Sequence, residues 1–297
     1  MSLAHLRTFI EVYRRRSLTG AARMLGLTQP AVSQQVASLE TLLGRPLFER
    51  HARGVRPTAV ADDLAASLGD RLDQAEAALA SVRARSTRLS GTVHLAAPSE
   101  YLAERVAGRL KPLVEAGLEL RLHVGGKDAL YAMLLDDRVH LALTASRLED
   151  RRLAYQRVGT ERLVAVAAPA EARRILAKPR LADGLNACPL LAYDLDRPLI
   201  RAWLDANGLG PPTQLPVATA PDLRAIRAML RAGLGWSVLP DYLLRADLRD
   251  GVLVEIPAPA TTPENAFHLV WVRSALRHPR VAAARDALSR ALAVDAD

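Results

Sequence analysis

Residues 17–50, SLTGAARMLGLTQPAVSQQVASLETLLGRPLFER, read as two short helices joined by a tight turn and running into a wing. Ser17 precedes an apolar-periodic run of Leu18, Ala21, Ala22 and Leu25 and suits a helix N-cap. Gly26 follows that run, where a stop that turns left-handed favours glycine. Thr28 suits the cap of the next helix, and Pro30 falls in its first turn, where a missing N–H costs nothing. Val32, Val36, Leu39 and Leu43 recur at spacings of four, three and four, which predicts one buried face. The other face carries Gln29, Ser33, Gln34 and Ser38, short polar side chains without an acid. Glutamine can pair with adenine in the major groove, and serine can donate or accept. Two short helices around a glycine-containing turn have the geometry that reads DNA, with the second helix in the groove. A helical hairpin that only packs is the competing reading.

The flanking residues weigh against that alternative. Leu47–Arg50 and Arg53–Thr58 read as two short strands around a basic tip, and Arg45, Arg50, Arg53 and Arg56 can reach phosphates or a minor groove. Residues 1–58 hold nine Arg and three Glu, so +6 of the chain's net +8 sits in this one module. A basic module beside a nearly balanced remainder is the footprint of a nucleic-acid binder. Gln29, Pro30, Ser33 and Gln34 are therefore the candidate base-reading surface, and Arg50, Arg53 and Arg56 the backbone-positioning one.

The run Ser-Leu-Thr-x-Ala-Ala-x-x-Leu-x-Leu-Thr-Gln-Pro-Ala-Val-Ser, continued by Leu39-Glu40, Leu43-Gly44 and Leu47-Phe48-Glu49-Arg50, resembles the N-terminal domain of LysR-type transcriptional regulators. The resemblance is dense over residues 3–58. Two positions depart from the family pattern. Gln34 stands where relatives usually carry Arg, which bears on base preference. Thr58-Ala59-Val60-Ala61 replaces the usual Thr-x-x-Gly, which predicts a more helical joint behind the wing.

Composition bounds the remainder. A chain of 297 residues, 50% hydrophobic and 24% charged, suits two or three domains of an ordinary soluble globular protein. Arg outnumbers Lys 37 to 3, a bias we read as genomic rather than functional. The start MSLAHLRTFIEVYRRR lacks the apolar core of a signal peptide, and no long apolar run predicts a membrane span, so the expected location is the cytoplasm. The single Cys188 cannot form an internal disulfide, which fits a reducing compartment.

Behind the wing, Leu68, Leu72, Ala75, Leu79 and Val82 alternate spacings of four and three in a stretch without proline. That heptad seam predicts a helix of about thirty residues, roughly 45 Å long. Its seam either pairs two chains or docks on its own domain, and paired heads on two half-sites favour the first. The family resemblance implies the same: a linker helix that pairs subunits. STRLSG at 86–91 reads as a hinge.

From Thr92 the rhythm becomes βαβαβ. Strands are expected at 93–97, 118–124 and 141–144, and helices at 101–115 and 127–135. Residues 162–169 begin a second such unit, containing helices at 200–206 and 223–232 and a strand at 235–239. The late strand 267–272 and the helix 280–293 are expected to return to the first lobe. The predicted fold is thus a winged helix-turn-helix, a long linker helix, and two α/β lobes of periplasmic-binding-protein type. The expected bounds are 1–58 for the DNA-binding domain, 59–90 for linker and hinge, and 91–297 for the effector-binding domain. Within the last, lobe I covers about 91–161 and 266–297, and lobe II about 162–265. The family resemblance extends over 91–297 more loosely, carried by Gly233-Leu234-Gly235-Trp236-Ser237-Val238-Leu239-Pro240 and by Leu134-Leu135 with Leu141-Ala142-Leu143.

Ligands in such sheets bind at the carboxyl ends of strands, where helix N-termini begin. That rule selects Ser99, Lys127, Thr144, Ser146, Tyr193, Asp222 and Trp236 as candidate effector-binding residues. Asp222 also reads as a helix cap, Lys127 as a solvated loop lysine and Trp236 as a core residue. One lysine among hydroxyls and aromatic rings suits a small organic acid or an amino-acid-like metabolite.

Nothing in the sequence indicates catalysis, a cofactor or a metal. The seven His (5, 51, 94, 123, 140, 268 and 278) lie far apart along the chain, and neither a Gly-x-Ser-x-Gly elbow nor a phosphate loop occurs. A peroxide sensor of this family would be expected to use two cysteines. The expected function is a sequence-specific, effector-controlled transcriptional regulator. Its expected partners are double-stranded DNA, a small molecule, RNA polymerase and its own copies, as dimer or tetramer. The alternative is the same DNA binder with a vestigial or unliganded second domain acting only in oligomerisation.

Overall fold

The computed structural model describes residues 3–51, 54–86 and 89–293. Two compact units partition the chain. The first is Met1–Thr87 with Glu149–Ala154 and Arg273–Ala282; the second is Arg88–Leu148, Tyr155–Val272 and Ala283–Asp297.

The first unit opens with α1 (Leu3–Arg15), α2 (Leu18–Leu25) and α3 (Gln29–Leu43), then the wing strands β1 (Phe48–His51) and β2 (Gly54–Pro57), and α4 (Ala59–Ser86). The caps form as the sequence predicts. Ser17 Oγ accepts from the Gly20 amide and Thr28 Oγ1 from the Ala31 amide. Gly26 closes α2 at φ 66°, a conformation only glycine adopts without a Cβ penalty. Thr28→Ala should cost about 1 kcal/mol, read as a lower thermal transition of this unit. Val32, Val36 and Leu39 are buried, but Leu43 is 41% exposed, so the expected buried face ends one turn early, at the last residue of α3.

α4 starts directly after the wing. Thr58 Oγ1 accepts from the Ala61 amide, and Ala61 is fully buried, so the residues replacing the usual glycine extend the helix to the joint. Ala61, Ala65 and Leu72 pack with Phe9, Ile10 and Tyr13 of α1, whereas Leu79 and Val82 are exposed. The seam therefore serves two purposes along its length: its first half docks on its own domain and its second half faces outward. The docking also buries charge. Arg7 of α1, 6% exposed, donates to Asp73 at 2.8 Å and to Glu76 at 3.0 Å across to α4, and to Glu11 at 3.3 Å. Arg14 adds a second ion pair to Asp73.

The later elements are β3 (Gly91–Ala97), α5 (Ser99–Tyr101), α6 (Lys111–Glu115), β4 (Leu118–Val124), α7 (Lys127–Leu135), β5 (Leu141–Thr144) and β6 (Leu153–Ala167). There follow α8 (Pro169–Leu176), α9 (Leu181–Ala187), β7 (Leu191–Ala192), α10 (Pro198–Ala206), β8 (Ala218–Thr219), α11 (Leu223–Arg231) and β9 (Trp236–Pro240). Last come α12 (Arg245–Arg249), β10 (Val254–Glu255), β11 (Glu264–Val272) and α13 (Pro279–Ala293). The helix expected over 101–115 is broken into short turns. Pro112 lacks an N–H and sits where α6 must start afresh.

A seven-stranded sheet runs β10-β6-β11-β5-β3-β4, with β9 also beside β6. β3 pairs parallel with β4 and β5, and β11 pairs antiparallel with β5, so the late strand joins the first three. The second lobe differs from the expected parallel unit. β9 and β10 both pair antiparallel with β6, because β6 is a 15-residue strand that runs on from the first lobe as the spine of the second. Leu163, Ala165 and Ala167 of β6 pack with Trp203 and Trp236, while Val164 and Val166 pack with Ile226 and Leu239. A strand buried on both faces reads as a continuous apolar run, which is why RLVAVAA was legible. At the far edge, Leu122 and Val124 of β4 are exposed rather than buried.

Candidate functional site

In the first unit, α3 presents Gln29 and Ser33 half-buried and Pro30 and Gln34 exposed, with Arg50 and Arg56 of the wing exposed beside them. Ser33 is the meeting point: its Oγ accepts from Gln29 Nε2 at 2.9 Å and from Arg50 Nη2 at 3.4 Å. Helix and wing thus share one polar surface, built because Val32 and Val36 on the opposite face pack against Val55 of β2. Arg53 lies outside the described residues.

In the second unit, a cleft of about 580 Å³ gathers the ends of β3, β5 and β9 with the start of α7. Four of the expected effector residues line it: Lys127, Thr144, Ser146 and Tyr193. Lys127 and Ser146 are exposed at its mouth, and Thr144 is buried, its Oγ1 accepting from the Ser146 amide at 3.1 Å. Gly126 faces Tyr193 so closely that an added Cβ would meet the phenol oxygen at 3.2 Å. A second opening, about 900 Å³, lies in the first unit, with Arg14, Asp62, Asp63, Asp70 and Arg71 in its walls. Its size does not make it the better candidate, because its walls come mainly from α1 and α4 and no α-helix N-terminus opens into it as that of α7 does into the cleft.

The other three expected residues fall elsewhere. Trp236 is fully buried and donates from Nε1 to the Leu185 carbonyl at 3.0 Å, so it is a core residue and does not reach the cleft. Ser99 and Asp222 meet each other but lie outside the cleft lining: Ser99 Oγ is 3.2 Å from Asp222 Oδ2 and 3.1 Å from Glu100 Oε2. With two carboxylates on its hydroxyl, Ser99 is poorly suited to the anion expected there. Asp222 caps α11 and is clasped by Arg224, which holds its carboxyl below the usual range.

Sequence reasoning missed the acids. Glu100, Asp128, Glu161, Asp194 and Asp196 line the cleft against a single cation, Lys127. Glu161 is 5% exposed; its Oε1 accepts from Asn265 at 3.2 Å, and its Oε2 makes no hydrogen bond. Burial, aided by Glu100 and Asp241 and opposed by Asn265 and Arg105, pushes its carboxyl up to about 7. Burial likewise raises Glu100, and burial with Glu100, Asp194 and Asp222 raises the Tyr193 phenol. Tyr242 and Phe267 add aromatic wall, Phe267 being stacked on Tyr101 at 3.7 Å. The one available signal was an acid, Glu161, immediately before the apolar run of β6.

Three histidines distant in sequence do meet. His94 Nδ1 lies 3.0 Å from His123 Nε2, and His140 Nδ1 accepts from the His94 amide at 2.9 Å. Among the described residues no group of His, Cys, Asp or Glu is arranged to hold a metal ion, and no helix is long and apolar enough to cross a membrane.

A family model for the LysR substrate binding domain matches residues 86–293, and one for the bacterial regulatory helix-turn-helix protein, lysR family, matches residues 3–62. The chain is 37% identical over 298 residues to the HTH-type transcriptional regulator AbaB of Streptomyces antibioticus, covering 98% of each. It is 28% identical over 282 residues to the regulator CfxR of Cupriavidus necator, covering 92% of this chain and 86% of that one. Two solved structures share the fold. CrgA, a LysR-type transcriptional regulator from Neisseria meningitidis, has a TM-score of 0.61 at 22% identity, covering 98% of this chain and 99% of that one. Full-length LysG from Corynebacterium glutamicum, solved with bound effector Arg, has a TM-score of 0.59 at 20% identity, covering 98% of each. The chain belongs to the LysR-type family of transcriptional regulators, which oligomerise, bind DNA through a helix-turn-helix and bind a small-molecule effector through the domain that follows.

Proposed function

We propose that Gln29, Pro30, Ser33 and Gln34 read base edges in a major groove while Arg50, Arg53 and Arg56 hold the flanking phosphates. The observation that carries this reading is the convergence of Gln29 and Arg50 on Ser33 Oγ, which couples the helix to the wing. Ser33→Ala should cost about 1 kcal/mol or more on a selected site and little on random DNA. Arg50→Ala should weaken both and lower the salt slope by about 1. Anisotropy titrations at several salt concentrations separate the two; equal losses on both DNAs for Ser33→Ala contradict base reading.

The second unit binds its effector in the cleft between Lys127, Thr144, Ser146 and Tyr193, and cleft occupation changes the separation of paired DNA-reading heads. A coupling of about 1–3 kcal/mol suffices for a fivefold to hundredfold response. The volume of the cleft, about 580 Å³, and the unsatisfied Glu161 support a working ligand site over a vestigial one. The outward Leu79 and Val82 of α4 support pairing of subunits, as dimer or tetramer, through the linker. The domain bounds we adopt are 1–58, 59–90 and 91–297. The protein acts in the cytoplasm by binding, with no chemical step of its own, and hands its signal to RNA polymerase.

A further inference from the structure

We propose that the cleft takes an organic cation, a ligand whose primary ammonium or guanidinium group pairs with Glu161 and Glu100 and whose apolar body lies against Tyr193, Tyr242 and Phe267. This rests on the cleft being the effector site.

The geometry carries it in three steps. First, five carboxylates and one lysine line the cleft, and the lysine is exposed at the mouth. A small anion would enter a field of its own sign. Second, Glu161 is almost wholly buried, yet one oxygen has no partner among the described residues. A buried carboxylate left unpaired is costly, and a cation with N–H donors is the group that satisfies it. Arg224 holds Asp222 through paired hydrogen bonds, and Arg105, 5.6 Å over the Tyr242 ring, acts on Glu161 through its field without a hydrogen bond to the free Oε2. Third, aromatic faces beside carboxylates are the walls that suit an amine, because ring quadrupoles attract cations. Pro98, Leu199 and Leu223 extend an apolar wall for the rest of the molecule. An organic cation fits better than a metal ion, for which no ligand cluster exists among the described residues. Burial raises both carboxyls, so a cation seated against Glu161 and Glu100 favours their ionised forms and draws their titration back down.

The test is thermal unfolding of the full chain at constant ionic strength with matched pairs: 1,4-diaminobutane against succinate, 1,5-diaminopentane against glutarate, and benzylamine against benzoate, with magnesium chloride alongside. At least one amine at about 10 mM should raise the transition of the second unit by about 3 °C or more, while its matched carboxylate does not. Glu161→Gln, which keeps the shape and can still accept from Asn265, should remove most of that rise, and Glu100→Gln part of it. A rise with carboxylates and not amines overturns the cationic ligand and leaves the cleft as effector site. A rise with magnesium alone, or an amine effect that survives both substitutions, also overturns it. No rise with any probe overturns the ligand class and counts against the cleft itself.

Discussion

Arg7→Met should lower the stability of the first unit by about 3–5 kcal/mol. Arg7 is nearly fully buried and is the common partner of Glu11, Asp73 and Glu76. Methionine keeps the volume of the stem but leaves three carboxylates with one cation fewer. Asp73 retains Arg14 and Glu11 retains Arg15, which keeps the loss from being larger. Hydrogen exchange in α1 and α4 of the full chain reads this directly, because local protection follows local stability. Protection should fall about a hundredfold or more. Adding Asp73→Asn should recover part of the loss, since the orphaned charge then leaves with its partner. Unchanged protection in Arg7→Met would mean that these pairs behave as solvent-screened surface pairs.

Glu161 should make the second unit less stable as pH rises. Its carboxyl goes from an ordinary 4.5 to about 7 in the fold, so the folded chain holds this proton where the unfolded chain releases it. The associated stability is complete below about pH 4.5, is lost as pH rises through 7, and is flat above that. A shift of this size corresponds to about 3 kcal/mol, or roughly 6–12 °C for a unit of this length. Glu100, also raised by burial, acts in the same direction. His268, lowered by burial and then by Arg147, acts at the acid side, where its neutral form must charge. Comparing wild type with Glu161→Gln isolates the one group. Trp203 and Trp236, both in the core of this unit, report the transition. The two melting curves should diverge between pH 5 and 7.5, wild type falling faster. Parallel curves would show that Glu161 titrates normally.

The DNA-reading module was the most legible part of the chain, and the reason is local. Caps at Ser17 and Thr28, a left-handed stop at Gly26 and a period-3.6 apolar face are nearest-neighbour signals that survive without tertiary knowledge. The strands β3 and β5 and helix α7 were legible for the same reason. What escaped was long-range. The first half of β6, residues 153–161, has no apolar run to betray it, because there it is a partly solvated crossing strand. Glu161 ends that stretch, so the residue that most shapes the cleft was hidden with it. From sequence Trp236 suits either cleft or core, and only the α9 carbonyl it bonds settles it in the core. The seam of α4 was visible as a period, but only the structure divides it into a docked half and an outward half. The ion pairs between α1 and α4 join residues 59 to 69 positions apart, and no spacing rule reaches that far.

The most direct test of the account is whether the cleft acids couple ligand to DNA. A duplex selected from a random-sequence pool by the full chain is labelled, and its affinity is measured by anisotropy with and without the amine that gives the largest thermal shift. Wild type should change affinity by about fivefold or more on adding the amine. Glu161→Gln should bind the same duplex as tightly as wild type without amine and show no change with it. An equal amine response in Glu161→Gln would contradict the assignment of this cleft as the switch.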